Sequence, residues 1–435
     1  MISNKINNGL NGNPIIPGDK SISHRSIIIP SISNGICEVK NFLKSDDVIN
    51  TLKAFTLMGV KVEEKNNDLI IYGKGLNSLK KPKKEIYLGN SGTSARLLTG
   101  LLSSQNFNST LTGDSSLSSR PMDRISKPLA SMNAKVVTNK GYMPITIIGR
   151  NLMSTKIDII IPSAQIKSGL ILAALNTDGI TKIIENNITR DHTEIMLDYF
   201  DADISIQKEK NKKIIQIEGK KELKSKNIDV PSDLSSCSFF IVAALINKNS
   251  HVVMKNININ PTRNGILIAL EKMGANINYL NKRFLNNEEV CDLEVKSSTL
   301  QGCDLGEDIS RLMIDEYPIL SIAASFAKSP SIFRGLRELR VKESDRLKLI
   351  NLNLLKCGVD NKIIDDNLFI NPKEYYEIKS DNIRTDFDHR IAMSFAIMGT
   401  KIGPLNILDS NSINTSFPSF IEEFNKIGGM VSWKK

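Results

Sequence analysis

The sequence predicts a mixed α/β protein of two domains, each built from three copies of a unit of about 70 residues. Two short sequence patterns recur six times along the chain, and β-branched stretches lie between them. The chain has 435 residues, which is enough for two domains of ordinary size with large cores.

The first recurring pattern is a helix-like segment that closes on a small or turn-forming residue and leads into a short strand. Residues 57–62 and 272–277 are two examples. The turn residue is Gly, Asn or Asp at all six positions, which are 59, 133, 201, 274, 358 and 428, spaced 68 to 84 residues apart. These residue types tolerate the left-handed backbone that ends many helices, so the pattern predicts six helix ends.

The second pattern is a polar loop that opens a helix rich in Ile, Leu and Ala, and it precedes each copy of the first. The six loops begin at Ser23, Asn90, Ser163, Ser232, Asp315 and Asp388. Helices that are apolar on nearly all sides are typically buried. Stretches such as 157–161 and 251–254 supply strands between the patterns. We therefore expect one buried helix, one amphipathic helix and several strands in each unit.

Polar residues stand at the start of the predicted buried helix in all six units, at the positive end of its dipole. In residues 17–25, Gly18 and Asp19 break the backbone, and Lys20 and Arg25 add full positive charge. An ordinary capping loop would explain this stretch taken alone. If the units pack as pseudo-symmetric bundles, however, the helix starts gather on one face of each domain and form an anion-binding surface.

Composition narrows the class of protein. The net charge of +10 favours encounter with small anions, but the dense basic run at 80–84 lacks the aromatic residues of a nucleic-acid surface. The five cysteines are widely spaced without a Cys-x-x-Cys pair, which indicates reduced thiols and no zinc site. No apolar run has the length of a membrane span or signal core. We expect a soluble, cytoplasmic protein.

Seven motifs resemble, in order along the chain, the signatures of the 5-enolpyruvylshikimate-3-phosphate synthase family of enolpyruvyl transferases. They are residues 17–25, 88–96, 163–168, 190–194, 315–318, 337–346 and 388–390. The resemblance implies two domains, each of three inverse βαβαββ units around buried helices, which agrees with the six repeats. It places one domain at 19–230 and the other at 1–18 with 231–435, joined by a two-strand hinge near 18 and 231.

The resemblance also implies an activity and its binding residues. The enolpyruvyl group of phosphoenolpyruvate moves to the 5-hydroxyl of shikimate 3-phosphate, and phosphate is released. Expected contacts to phosphoenolpyruvate are Lys20, Arg120, Arg346, Arg390 and the backbone N–H of Gly92, with Asn90 and Thr93 beside them. Expected contacts to shikimate 3-phosphate are Lys20, Ser21, Arg25, Ser163, Gln165, Arg190, Asp315 and Lys342. No cofactor or metal is implied, the substrates are the expected partners, and we expect a monomer.

Catalysis by addition and elimination through a tetrahedral intermediate needs a base near the 5-hydroxyl and a proton carrier near C3 of phosphoenolpyruvate. The resemblance implies Asp315 as the base and Glu343 at C3, with Lys20 or Lys342 able to relay a proton. Cations normally lower the pKa of a carboxylate, so burial would have to offset them if either residue acts as an acid. Asp315 could instead cap the helix that follows it.

Three acidic residues and three histidines have roles that the resemblance does not assign. Asp46, Asp47 and Asp114 could hold site arginines or be ordinary helix and loop acids. His24 and two further histidines, His192 and His389, lie inside motifs, and we interpret them as supporting or capping residues. No cluster of histidines has the spacing of metal ligands.

Departures from the family pattern affect two details. Some members have a Lys before the Phe-Pro motif, where this chain has Asn414 or Thr415, so a cation there is in doubt. Gly92 leaves sensitivity to glyphosate open, because some insensitive members have Ala in its place. Ala164 agrees with the branch of the family that has Ser-Ala-Gln.

Three alternatives remain. The sister transferase that acts on UDP-N-acetylglucosamine has a Cys before its Arg-Pro pair, and residues 113–121 contain none. RNA 3′-phosphate cyclases use a related repeat but need a nucleophilic histidine, for which His389 would have to serve. A binding protein without catalytic activity would need neither Asp315 nor the pair Lys342 and Glu343.

Overall fold

The computed structural model describes residues 1–209 and 212–434. The chain packs into two compact units. Unit 1 comprises Met1–Pro17, Pro231–Phe284 and Glu289–Lys435, and unit 2 comprises Gly18–Val230 and Leu285–Glu288. Each unit has a hydrophobic core of its own.

The described residues form α-helices and short β-strands in alternation. The helices are α1 Lys20–Ser31, α2 Asp46–Leu57, α3 Gly92–Ser103, α4 Ser115–Ser118, α5 Asp123–Ala130, α6 Ala164–Ala174, α7 His192–Tyr199, α8 Leu234–Ile246, α9 Gly265–Lys272, α10 Glu307–Leu312, α11 Tyr317–Ser325, α12 Arg346–Lys356, α13 His389–Ile402 and α14 Phe420–Lys426. The strands are β1 Ile2–Ser3, β2 Asn11–Gly12, β3 Asn34–Lys40, β4 Lys61–Lys65, β5 Asp68–Lys74, β6 Ile86–Tyr87, β7 Asn108–Thr112, β8 Lys135–Asn139, β9 Tyr142–Ile148, β10 Lys156–Ile159, β11 Ile180–Glu185, β12 Ile204–Glu209, β13 Lys212–Glu218, β14 Ile228–Asp229, β15 His251–Asn258, β16 Asn276–Leu285, β17 Glu288–Lys296, β18 Asp304–Leu305, β19 Ser331–Phe333, β20 Asp360–Ile364, β21 Asn367–Asn371, β22 Asn382–Ile383, β23 Leu405–Ile407 and β24 Val431–Ser432. Two 3₁₀ helices add Arg337–Val341 and Ser410–Thr415.

The strands of the described residues form six four-stranded sheets. Those of unit 2 have the orders β14-β3-β5-β4, β6-β7-β9-β8 and β10-β11-β13-β12. Those of unit 1 have the orders β16-β17-β15-β2, β18-β19-β21-β20 and β22-β23-β1-β24. In every sheet an outer strand pairs in parallel with its neighbour, which pairs antiparallel with the next strand.

The repeating unit is the βαβαββ unit that the family resemblance implied. One copy runs β10, α6, β11, α7, β12 and β13, and another runs β6, α3, β7, α5, β8 and β9, with the short α4 inserted. Strands distant in sequence complete other sheets, since β14 pairs with β3 and β1 pairs with both β23 and β24. The predicted mixed α/β fold of repeated units is confirmed.

All six predicted turn residues have the left-handed backbone. The φ angles are +88° for Gly59, +64° for Asn133, +58° for Asp201, +80° for Gly274, +83° for Gly358 and +108° for Gly428. After each turn, the next N–H donates to the carbonyl five residues earlier, with N–O distances of 2.9–3.2 Å. This hydrogen bond satisfies a carbonyl at the helix end, so each turn residue ends its helix as predicted.

The six predicted apolar helices are α1, α3, α6, α8, α11 and α13, and they are the buried ones. In α8, for example, all 13 residues are buried. At the start of five of them, the N-cap side chain accepts a hydrogen bond from a backbone N–H of the first turn. These capping residues are Asp19, Ser91, Ser163, Asp233 and Asp388. The first helix begins at Lys20, earlier than the loop start predicted at Ser23, because Asp19 caps it.

Glycines bring the starts of α3 and α6 close together. A Cβ on Gly100 would lie 1.9 Å from the carbonyl oxygen of Gly169, and one on Gly169 would lie 2.7 Å from that of Arg96. The two helices can therefore cross only because neither glycine has a side chain. The crossing places the polar N-terminal residues of both helices beside each other.

Two further features concern the class of protein. All five cysteines are unpaired, and Cys303 alone among them is not fully buried. Among the helices that the described residues form, none combines the length and the apolar composition needed to cross a membrane.

Replacing Gly100 by Ala should lower the free energy of unfolding by about 1–3 kcal/mol, because the added methyl group would force α3 and α6 apart. Urea unfolding of both proteins measures this change. Ser103→Ala in the same helix is the control, since it adds no atoms and removes a hydroxyl that bonds only to the Thr99 carbonyl of that helix. Equal unfolding midpoints for Gly100→Ala and the parent would show that the crossing is not tight.

Candidate functional site

Several predicted residues of unit 2 stand at the starts of its three buried helices. Lys20 and Ser21 are the first residues of α1, and Gly92 and Thr93 are the first of α3. At α6, Ser163 is the N-cap residue, and the Gln165 side chain donates to Thr93 Oγ1 at 3.0 Å. Helix N-termini present unsatisfied N–H groups and the positive end of the dipole, so the arrangement suits anions.

Arg25 joins α1 to the two elements beside it. It is buried, and its guanidinium donates to Thr193 Oγ1 at 2.7 Å, to Ser168 Oγ at 2.8 Å and to the Ser21 carbonyl at 2.8 Å. Burial lowers the pKa of Arg25 to about 10, which leaves it charged at neutral pH. These hydrogen-bond partners are neutral and orient the cation, while the charges of Glu194, Asp19 and Glu288 favour its charged form.

Arg190 lies in the loop between β11 and α7 and is half-buried. Its charge is close enough to Arg25 to contribute to lowering the pKa of that guanidinium. The structure thus brings these two predicted cations near each other, which indicates a place where a multiply charged anion would be stabilised.

Lys20 is held by an acid on a neighbouring helix. Its Nζ lies 2.5 Å from Asp47 Oδ2, in the first turn of α2. Asp47 therefore pairs with a lysine of the site, whereas the sequence suggested an arginine. Asp114 is an ordinary loop acid, the second role considered for it, because its side chain accepts the Leu117 N–H at 2.8 Å and caps α4.

Two arginines border Gly92. Arg120 donates to Asn90 Oδ1 at 2.5 Å, and Arg96 donates to Gln165 Oε1 at 2.7 Å. A Cβ on Gly92 would lie 2.8 Å from Arg96 Nη1 and 3.1 Å from Arg120 Nη1, so glycine makes room for both guanidinium groups. Sequence reasoning did not select Arg96, although a buried cation in an apolar helix could have indicated it.

His24 belongs to a chain of hydrogen bonds that links α1, α2 and α3. Its Nδ1 lies 2.8 Å from Thr51 Oγ1, which lies 2.6 Å from Ser94 Oγ, which in turn lies 2.7 Å from Ser91 Oγ. Burial, together with the charges of Lys20 and Arg25, holds the pKa of His24 well below 6.5. His24 is thus a neutral supporting residue, in agreement with its interpretation from the sequence.

In unit 1, Arg346 is the residue around which the predicted site is arranged. Its side chain is 1% exposed. Its nitrogens donate to Asp388 Oδ2 at 2.8 Å, Asp315 Oδ1 at 3.1 Å and Glu343 Oε2 at 2.5 Å. Burial opposes the charge, but the three carboxylates outweigh it and raise the pKa of Arg346. One cation therefore fixes the orientation of both predicted catalytic carboxylates.

The other predicted residues of unit 1 surround Asp315. Lys342 Nζ lies 3.1 Å from Asp315 Oδ1, and Arg390 Nη1 donates to the Asp315 carbonyl at 3.2 Å. The N-cap position of α11 belongs to Glu316, so Asp315 precedes the cap. Glu316 Oε1 lies 3.6 Å from Arg390 Nη1. The sequence did not indicate Glu316 or Asp388 as an acid that pairs with a cation of the site.

The remaining motif histidines have neighbours of their own. His192 Nδ1 lies 2.6 Å from Glu288 Oε1 in unit 2. In unit 1, His389 Nδ1 lies 3.4 Å from Thr415 Oγ1, which also donates to the Ser412 carbonyl. Within the described ranges, no three His, Cys, Asp or Glu residues are grouped to hold a metal ion.

Two polar hollows of about 320 and 460 Å³ in unit 2 lie away from these residues. They share the lining residues Asn77, Asn176 and Lys220, and neither is lined by a predicted site residue. The candidate site is therefore defined by convergent polar groups and not by the volume of a cavity.

Comparison with known proteins was made by family model, sequence and structure. The model of the family described as EPSP synthase (3-phosphoshikimate 1-carboxyvinyltransferase) matches residues 5–424. A 3-phosphoshikimate 1-carboxyvinyltransferase of Vesicomyosocius okutanii is 43% identical over 98% of this chain and 97% of its own. A 3-phosphoshikimate 1-carboxyvinyltransferase of Legionella pneumophila strain Corby is 44% identical, over 96% of this chain and 95% of its own. A solved EPSP synthase structure from Acinetobacter baumannii has a TM-score of 0.87 and 42% identity, and covers 98% of both chains.

His24 should make the stability of the protein sensitive to acid. On unfolding, its pKa rises to about 6.5, so the unfolded chain binds a proton that the folded protein does not, and stability falls as the pH drops below about 6.5. At pH 5.5 this contribution amounts to about 1.4 kcal/mol. Urea unfolding at pH 7.5 and 5.5 should therefore show a smaller loss of stability for His24→Asn than for the parent. Identical losses would exclude a buried neutral His24.

Proposed function

The chain belongs to the EPSP synthase (3-phosphoshikimate 1-carboxyvinyltransferase) family, and from this premise we propose how its own residues carry out the family reaction. It transfers the enolpyruvyl group of phosphoenolpyruvate to the 5-hydroxyl of shikimate 3-phosphate, in the pathway to the aromatic amino acids, and releases phosphate. The observation that carries this conclusion is the family match over residues 5–424, which includes every motif described above.

We propose that unit 2 binds shikimate 3-phosphate. The binding residues would be Lys20, Ser21, Arg25, Ser163, Gln165 and Arg190. The place of Lys20 and Ser21 at the start of α1, and of Ser163 and Gln165 at the start of α6, supports this role, because dipoles, N–H groups and cations act together on an anion there. The hydrogen-bond partners of Arg25 are neutral, so an anionic ligand meets no carboxylate hydrogen-bonded to that guanidinium. In unit 1, Lys342 would contact the same substrate.

We propose that phosphoenolpyruvate is bound by Lys20, Arg120 and the N–H of Gly92, with Asn90 and Thr93 beside them. Arg346 and Arg390 of unit 1 would contact it as well. Each terminal nitrogen of a guanidinium carries two hydrogens, so Arg346 can bind an oxygen of the substrate while it holds its carboxylates.

We propose Asp315 as the base that takes the proton of the 5-hydroxyl while the oxygen attacks C2 of phosphoenolpyruvate. C3 gains a proton in this step and loses one when the bond from C2 to the phosphate oxygen breaks, and we assign both transfers to Glu343. The geometry that supports these roles is the shared contact of both carboxylates with Arg346. Lys20 and Lys342 remain candidates for a proton relay.

We further propose that the chain crossings near residues 18 and 231 form a hinge between a domain at 19–230 and one at 1–18 with 231–435. We also propose that the protein acts as a monomer. We also propose a cytoplasmic location, for which the five unpaired cysteines are the support.

Mixing the protein with phosphoenolpyruvate and shikimate 3-phosphate should release inorganic phosphate, which a colorimetric assay measures. Phosphoenolpyruvate alone, and phosphoenolpyruvate with UDP-N-acetylglucosamine, serve as controls and should release none. A lack of release with shikimate 3-phosphate would overturn the assignment, and release with the nucleotide sugar would favour the sister transferase.

Asp315→Asn should lower kcat by at least about 100-fold while both substrates still bind, because the amide keeps the shape of the carboxylate and loses its basicity. Steady-state kinetics and calorimetric titration measure the two effects. Asp345→Asn is the matched control: Asp345 caps α12, and asparagine caps a helix equally well. Full activity of Asp315→Asn would remove Asp315 from the mechanism.

A further inference from the structure

Five charged side chains in unit 2 form a group that the reaction described above does not use. They are Lys167 of α6, Glu185 of β11, Asp191 before α7, Glu194 of α7 and Lys213 of β13. The side chains of Lys167, Glu185, Glu194 and Lys213 are at most 1% exposed, and that of Asp191 is 12% exposed. We call this group the buried charge network.

The contacts within the network connect four elements through a shared carboxylate. Lys167 Nζ lies 3.0 Å from Glu185 Oε2 and 2.9 Å from Glu194 Oε1. Lys213 Nζ lies 3.2 Å from the same oxygen of Glu194 and 3.1 Å from Asp191 Oδ2. Each lysine thus bridges two acids.

Glu194 and Lys213 favour their charged forms within the network, whereas burial raises the pKa of Glu185. Burial alone would raise the pKa of Glu194, but Lys167 and Lys213 outweigh it and lower that pKa. Burial would likewise lower the pKa of Lys213, but Glu194 and Asp191 raise it. Burying such charges carries a desolvation cost, and apolar residues often stabilise a core equally well. Stability alone is therefore a poor reason for this arrangement.

The network holds the chain on both sides of Arg190. Glu185 Oε1 accepts the N–H of Thr189 at 2.9 Å and also the Thr189 hydroxyl. Lys167 Nζ donates to the Thr189 carbonyl at 3.2 Å, and Lys213 holds Asp191. Arg190 stands between two residues whose backbone or side chain is fixed from the core.

We propose that the buried charge network is a positioning device that presents Arg190 to shikimate 3-phosphate. This inference rests on the proposed binding role of Arg190. Its members are positioning residues, because they touch the loop and not the substrate. Without such support, the loop would become ordered only when the ligand binds. The conformational entropy lost in that ordering would weaken the binding of the ligand.

The network should affect one substrate more than the other. Arg190 belongs to the set assigned to shikimate 3-phosphate, so loosening its loop should raise the KM for that substrate. The KM for phosphoenolpyruvate and kcat should change little. A residue needed only for folding would lower the amount of active enzyme and leave both KM values unchanged.

Thr189→Val tests the proposal with the smallest change, because it removes a hydroxyl that Glu185 accepts and keeps the shape of the side chain. We expect the KM for shikimate 3-phosphate to rise about 10-fold, and that for phosphoenolpyruvate to stay within about twofold. Thr181→Val is the matched control. Thr181 lies in β11, and its buried hydroxyl has no hydrogen-bond partner among the described residues, so both KM values should be unchanged.

A double-mutant cycle with Arg190→Ala distinguishes action through Arg190 from an independent effect. In the Arg190→Ala protein, Thr189→Val should change the KM for shikimate 3-phosphate by less than about twofold. A second 10-fold rise would overturn the proposal. Glu185→Gln, with folding checked by circular dichroism, should repeat the pattern of Thr189→Val, and unchanged KM values in both variants would also overturn it.

The outcome for the parent enzyme separates this proposal from the proposed function. If the parent does not turn over shikimate 3-phosphate, the functional assignment fails. If the parent turns over normally and Arg190→Ala leaves the KM for shikimate 3-phosphate unchanged, the role of Arg190 fails, and the network with it. If Arg190→Ala weakens binding while Thr189→Val does not, only the network proposal fails.

Discussion

A buried helix must satisfy the N–H groups of its first turn, and this requirement shapes both units of the protein. Capping side chains such as Asp19 and Ser163 accept some of these groups. The remaining N–H groups, together with the positive end of the helix dipole, make each helix start attractive to anions. The same polar residues that make helix burial possible therefore mark the places where phosphorylated substrates are proposed to bind.

Two buried arginines of the candidate site, Arg25 and Arg346, have partners of different charge. In unit 2, Arg25 is oriented by hydroxyls and a carbonyl, so its charge is not neutralised by a hydrogen-bonded acid. In unit 1, Arg346 is held by three carboxylates, two of which are the proposed catalytic groups Asp315 and Glu343. The first arrangement suits the binding of an anion, and the second suits the transfer of protons near one. The contrast follows from the partners that each guanidinium has, since the residue type is the same.

The repeated architecture and most of the candidate residues could be predicted from local sequence. Gly59 and Asn133 indicate helix ends because few residue types adopt positive φ at low cost, and the structure confirms all six such ends. The start of α1 was less predictable, because Ser23 lies within a helix already capped at Asp19. The resemblance to a known family supplied the roles of residues such as Asp315 and Arg390, which spacing alone could not provide.

The sequence by itself determined six repeats of a buried helix, an amphipathic helix and strands, together with the polar character of the helix starts, because turn residues and apolar periodicity act over a few neighbouring residues. Only the tertiary structure decided which charges meet. Asp47 pairs with Lys20, Asp388 holds Arg346, and Lys167 joins two acids on other elements. These partners are distant in sequence, and their pairing depends on how closely the helices pack, as at the glycines of α3 and α6. The order of charged residues along the sequence does not specify the distances between them in the folded protein.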